Sequence, residues 1–206
     1  NVKYLLLDMD GTVYLGGKLI GNMDKTLDKV RKAGKKIIYL TNNSSKSVEC
    51  YYKKLTDMNL LRLGDEVKTS GLAAIDFLKA NRKGKHVRLL GTESLKQEFV
   101  KSGINVIEDG IADICVLAYD TELNYVKLCK FTDNLWENVE YIATHPDVNC
   151  PSENKPLPDV GSFIELIKAS TGRVPDIVIG KPYTTFGEGL VREYNSKPDE
   201  FLMVGD

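Results

Sequence analysis

No charge of one sign dominates this chain, since 28 Lys and Arg face 29 Asp and Glu for a formal net charge of -1. Without a basic field there is no general attraction to nucleic acid or to an anionic membrane, and there is no acidic tail. The one basic run, KANRKGKHVR, reads as a solvated face. The four cysteines, Cys50, Cys115, Cys129 and Cys150, form no C-x-x-C pair and match no zinc spacing. Reduced thiols in a cytoplasmic protein are expected from that. No apolar run approaches membrane-spanning length, and NVKYLLLDMDG is too short and too quickly acidic for a signal peptide. Repeats and low-complexity segments are absent as well. What remains is an ordinary globular composition: 206 residues, 42% hydrophobic, enough for one large domain or two small ones.

Apolar runs of β type alternate with helical patterns. YLLL precedes MDKTLDKVRKAG, in which Leu27, Val30 and Ala33 share a helix face and Gly34 suits the position just after its end. KKIIYLTNN gives a second strand and KSVECYYKKLTDM a second helix. This rhythm predicts an α/β fold, a parallel sheet with helices on its faces. YLLL, IIYL, IVIG and FLMV lack polar alternation, as central strands covered on both sides should. Between Ser70 and Pro175 the rhythm continues with its own strands and helices, enough for a second α/β unit, and turn-rich stretches near Ser70-Gly71 and from Thr171 to Asp176 mark its limits. Leu128, Leu135 and Trp136 on one predicted helix read as core, and His86 as a surface residue at a strand start.

Chemistry enters at strand ends. LLLDMDGTVYLGG puts Asp8 and Asp10 one residue apart just past a core strand, where parallel sheets gather ligands. On extended backbone the two side chains point the same way, and such a pair raises its own pKa unless a cation neutralises it. Oxygen ligands of this kind suit Mg²⁺, and a metal frees one Asp to act as nucleophile toward an electrophile, a phosphoryl group being the natural one. Gly11 lets backbone approach an anion, and the Thr12 hydroxyl steadies the loop. IIYLTNN ends in Thr41, Asn42 and Asn43, which can donate to phosphate oxygens. IVIGKP ends in Lys181, a compact cation suited to a phosphorylated carboxylate, and FLMVGD in Asp206, a third carboxylate for the metal.

The ordered set D-x-D-G-T, T-N-N, G-K-P and G-D resembles the four motifs of the haloacid dehalogenase superfamily, in its branch of NagD-like and 4-nitrophenyl phosphatases. ATHPDVNCPSENKPLPDVGSFIELIKASTGRVPDIVIGKP is similar to that branch throughout. The resemblance implies a Rossmann-like core at 1–70 and 177–206 with a smaller α/β cap inserted at 71–176, a cap that leaves room for a homo-oligomer formed through it. It implies that Asp8 is the nucleophile of a Mg²⁺-dependent phosphomonoester hydrolase working through an aspartyl-phosphate, and that Asp10 is its acid and base. Mg²⁺ would be held by Asp8, the main-chain oxygen of Asp10 and Asp206. Thr41 and Lys181 would complete the catalytic set, with Gly11, Thr12, Asn42 and Asn43 at the phosphate and His145 and Asp147 of the cap at the substrate. The implied substrates are small phosphate esters, such as sugar phosphates or nucleoside monophosphates, with 4-nitrophenyl phosphate as an artificial one. In the family the fourth motif continues to an acid about four or five residues past its G-D pair, so a chain stopping at Asp206 resembles a C-terminally incomplete version. A receiver-like module that stores a phosphoryl group on Asp8 is the alternative function, and a non-catalytic α/β binding protein a third.

Overall fold

All four apolar runs become strands, but they are shared between two sheets. The computed structural model describes residues 1–152 and 155–205. In chain order these are β1 (Tyr4–Asp8), β2 (Tyr14–Leu15), β3 (Lys18–Leu19), α1 (Met23–Lys32), β4 (Lys36–Thr41), α2 (Val48–Asp57), β5 (Glu66–Thr69), α3 (Ser70–Asn81), β6 (His86–Leu90), α4 (Glu93–Lys101) and β7 (Asn105–Val106). There follow β8 (Ile114–Leu117), α5 (Tyr125–Trp136), β9 (Glu140–Ala143), β10 (Asn149–Cys150), β11 (Leu157–Pro158), α6 (Val160–Thr171), β12 (Ile177–Val178), α7 (Thr184–Glu193) and β13 (Phe201–Val204). Among the described residues no helix is long and apolar enough to cross a membrane.

The first sheet has the order β13-β1-β4-β5 and the second β12-β9-β8-β6-β7, and every pairing within them is parallel. Parallel pairing requires crossover connections, here helices, which cover β1 and β4 of the first sheet on both faces. Leu7, Ile37 and Tyr39 pack with Leu27, Tyr51 and Leu55 on one face. Leu6, Ile38 and Leu40 pack with Phe186 and Leu190 on the other. The continuous apolar runs follow directly from that two-sided burial.

Two of the four runs are not central. Among the described residues IVIG pairs only with β9, at the edge of the second sheet, rather than with the strands of the first. The parallel register continues past the strand, with Ile179 N–H donating to Ala143 O at 3.0 Å and Gly180 N–H to Thr144 O at 2.8 Å. FLMV pairs with β1, and among the described residues no strand lies on its outer side, leaving Leu202, Met203 and Val204 at 41 to 48% exposure. Trp136 is exposed whereas its neighbour Leu135 is buried, because the buried side of α5 carries Phe131, Thr132 and Leu135 and the tryptophan falls beyond it.

Candidate active site

β1 delivers Asp8 to the carboxyl edge of the first sheet, opposite Leu40 in the register with β4. The chain then turns tightly. Met9 O accepts from the N–H groups of Thr12, Val13 and Tyr14 at 3.3, 2.9 and 3.3 Å, and Gly11, at φ +88°, donates its N–H to Tyr14 O at 2.9 Å. A left-handed φ of this kind favours glycine, which explains why the D-x-D pair is followed by one. Thr12 Oγ1 is buried without a hydrogen-bond partner among the described residues. Neither Gly11 nor Thr12 lines the cavity above the strand ends.

That cavity, of about 710 Å³, is lined by Asp8, Asp10, Thr41, Asp147, Cys150 and Lys181 among others. Lys181 Nζ donates to Asp8 Oδ1 across the gap between the sheets. Asp10 has a cation as well: Lys54 Nζ, on α2, lies 3.7 Å from Asp10 Oδ1 and 3.7 Å from the centroid of the buried Tyr14 ring. Burial pushes the Asp10 carboxyl above its ordinary value, with Lys54 opposing the shift. Burial likewise lowers Lys54 and, helped by the Asp10 and Asp8 charges, raises Tyr14.

Thr41, Asn42 and Asn43 do not form a uniform row of donors. Thr41 Oγ1 accepts from Asn43 N–H at 3.1 Å, which leaves its own O–H for a ligand. Asn42, expected to reach a phosphate, instead spends its amide on protein groups. Its Oδ1 accepts from Lys181 N–H at 2.9 Å, and its Nδ2 donates to Lys181 O at 2.9 Å and to the two Asp147 oxygens at 3.2 and 3.0 Å. An amide has only two N–H donors, and both are engaged. Asn43 Oδ1 accepts from Ser45 N–H and Oγ at 2.9 and 2.7 Å, a local turn, with Nδ2 near Cys150 Sγ at 3.7 Å.

The turn at His145 to Val148 comes from the second sheet and is held by the start of α6. Asp159 caps that helix, its N–H donates to Val148 O at 3.0 Å, and Gly161 N–H donates to Asp147 O at 2.7 Å. A Cβ on Gly161 would lie 2.4 Å from Pro146 O and 2.9 Å from the Val148 backbone, so no other residue fits. His145 was expected to touch substrate, yet it is fully buried. Its Nε2 lies 2.9 Å from Asp159 Oδ1 and its Nδ1 3.1 Å from Thr144 Oγ1. Thr144 Oγ1 lies 3.1 Å from Ser44 Oγ, which accepts from Tyr119 N–H at 2.9 Å. A chain running Ser44, Thr144, His145, Asp159 satisfies every one of these groups and ties the loop after β4 to the second sheet. His145 therefore braces the site from within.

The structure thus brings Asp8, Asp10, Thr41, Lys181 and Asp147 together and removes His145 from the surface. Asp206 lies outside the described residues; Gly205, just before it, stands so close to Asp8 that an added Cβ would lie 3.0 Å from the Asp8 Cβ. Sequence reasoning missed Lys54, which nothing in its local spacing marks, and Asp159, whose place before the run VGSFIEL is a helix-start signal.

Known proteins share this arrangement of elements. The haloacid dehalogenase-like hydrolase profile matches residues 5–105. The acid sugar phosphatase of Staphylococcus aureus is 32% identical over 204 residues, 99% of this chain and 78% of that one. This chain belongs to the haloacid dehalogenase-like hydrolases. Among solved structures, the 4-nitrophenylphosphatase of Thermotoga maritima matches it with a TM-score of 0.94 at 36% identity, covering 100% of this chain and 78% of that one. A putative nagD protein matches with 0.95 at 36% identity, covering 100% and 81%. These relatives place the chain in the NagD-like phosphatase branch of the haloacid dehalogenase-like hydrolases.

Proposed function

We propose that this chain hydrolyses small phosphomonoesters, sugar phosphates foremost, through an aspartyl-phosphate on Asp8. The observation that carries the reading is the meeting of Asp8 and Lys181 in one cavity with a second carboxylate, Asp10, two residues on. A carboxylate oxygen of Asp8 attacks phosphorus in line while the bond to the leaving oxygen breaks, and Asp10 gives that oxygen its proton. Asp10, now a carboxylate, takes a proton from water as the water oxygen attacks the aspartyl-phosphate. Inorganic phosphate leaves, and both carboxyl groups return to their starting states. The Lys181 ammonium and the Thr41 hydroxyl hold the phosphoryl oxygens in a site where oriented donors lower the barrier by several kcal/mol.

The donor set at the β1 end is all oxygen, the chemistry of a hard divalent cation. Mg²⁺ is the ion we assign, with the Asp8 carboxylate, the Asp10 main-chain oxygen and Asp206 as its holders; when bound it neutralises phosphate charge. The second sheet with its helices serves as the cap, since its turn at Asp147 and the β10 residues Asn149 and Cys150 line the same cavity. Polar groups there suit a hydroxylated leaving group, in line with the sugar phosphatase relative. A receiver-like module needs no such cover over its aspartate. The near balance of charge and the free thiols among the described residues support a cytoplasmic enzyme acting on small molecules rather than on nucleic acid or membranes.

Incubation with 4-nitrophenyl phosphate and a panel of sugar phosphates, with and without Mg²⁺, tests the reading. Repeated Mg²⁺-dependent release of phosphate supports it. A single stoichiometric labelling without turnover would favour the receiver-like alternative.

A further inference from the structure

Lys181 is carried by one sheet and acts at the other. The residues before it follow β9 of the second sheet through Gly180, whereas its ammonium reaches Asp8 at the end of β1 in the first. Both main-chain polar groups of Lys181 rest on one side chain, since Asn42 Oδ1 accepts its N–H and Asn42 Nδ2 donates to its carbonyl, each at 2.9 Å. A two-point contact of this kind fixes the lysine backbone in orientation as well as in place. The remaining Asn42 N–H is spent on the Asp147 carboxylate. Asn42 is buried, so these bonds are sheltered from water.

Asp147 belongs to the turn that follows β9 of the second sheet and that α6 clamps through Gly161 N–H. Gly180 makes the approach tight, since a Cβ there would lie 2.7 Å from Asn42 Oδ1, from His145 Cβ and from Thr144 O. Asn42 itself follows β4 of the first sheet, and Ser70 Oγ donates to its carbonyl. One amide therefore touches the first sheet through its own backbone, the second through Asp147, and the lysine through both Lys181 main-chain groups.

We propose that Asn42 is a positioning residue that passes the position of the Asp147 turn to Lys181, aiming the lysine at Asp8 only when the second sheet is seated on the first. Asp147 then acts on the chemistry through Asn42 rather than by holding substrate. The inference rests on the phosphatase reading for its kinetic consequence, but its structural content is separate.

The test uses the full chain and two readouts. Without substrate, amide exchange followed by NMR should be at least about tenfold faster at Lys181 in both Asn42→Ala and Asp147→Ala, while the Gly180 amide, bonded to Thr144 O, stays within about twofold of wild type. With 4-nitrophenyl phosphate and Mg²⁺, Asp147→Ala should lower kcat about thirtyfold with KM changed less than about threefold, and Asp147→Asn, which can still accept from Asn42, should recover at least about tenfold of that loss. Unchanged Lys181 exchange in Asp147→Ala overturns the proposal, including where kcat collapses, because Asp147 would then act on substrate directly. Accelerated exchange in a protein that turns over no phosphate ester would uphold the relay and defeat the phosphatase reading alone.

Discussion

Lys181 and Asp8 meet across a sheet boundary: the lysine follows the edge strand of the second sheet and donates to the carboxylate that ends the central strand of the first. The pair exists only while the two sheets are docked. The site is thus made of two halves, and its assembly depends on the contacts that join them.

Asp8→Asn keeps the shape of the side chain and removes the proposed nucleophile. Turnover of 4-nitrophenyl phosphate should fall by at least about a thousandfold while the thermal midpoint stays within a few degrees. A loss below about tenfold in kcat would take the nucleophile role from Asp8.

Gly180→Ala places a methyl group where Asn42, His145 and Thr144 O already stand. Because one of these is backbone, the clash cannot be relieved by a rotamer alone, and a destabilisation of about 1–3 kcal/mol is expected with a fall in kcat as Asn42 is pushed from Lys181. Urea unfolding beside steady-state kinetics checks both. An alanine variant with wild-type stability and kcat would show that the close approach is not required.

Glu98 joins the halves from the side away from the cavity. Its Oε1 accepts from Val48 N–H at the start of α2 at 3.0 Å, and its Oε2 is buried without a partner among the described residues. Burial raises this carboxyl above its ordinary value, with Glu49 adding to the shift and the Val48 N–H and Lys101 opposing it. Between the unfolded and the folded value, the folded chain holds a proton that the unfolded chain has lost. The associated stability is complete below the unfolded value and is lost as pH rises through the folded one. Glu98→Gln removes that dependence, so the variant should gain in thermal midpoint relative to wild type as pH rises above the ordinary glutamate value. A difference that is flat, or that runs the other way, would contradict the assignment.

Much of this was legible in the sequence and some was not, for physical reasons. D-M-D-G-T and T-N-N could be read because the end of a parallel strand and a positive-φ glycine both leave local signatures. β5 was missed because EVKT is short and alternates, being only half buried, and α7 because TTFGEGLVRE carries two glycines that weaken a helical pattern. The sheet to which IVIG belongs is set by long-range pairing with β9, which no local run encodes. His145 and Asn42 show the same limit: residue type suggests a ligand contact, and only the packing of two sheets shows their polar groups used within the protein.

The α7 glycines also give a test of that point. A Cβ on Gly189 would meet nothing within 4 Å, so Gly189→Ala should stabilise the helix by about 0.5–1 kcal/mol and raise the thermal midpoint by roughly 2 °C. Calorimetry showing a loss instead would mean that this glycine serves something other than the local backbone.

Asp8 is the proposed carrier of the phosphoryl group during turnover. Acid quenching of the enzyme in the presence of a rapidly cleaved phosphate ester and Mg²⁺, followed by proteolysis and mass spectrometry, locates that group directly. A hydroxylamine-sensitive phosphate is expected on the peptide containing Asp8, absent from Asp8→Asn. Turnover with the phosphate on any other residue, or with the same label persisting in Asp8→Asn, would contradict it.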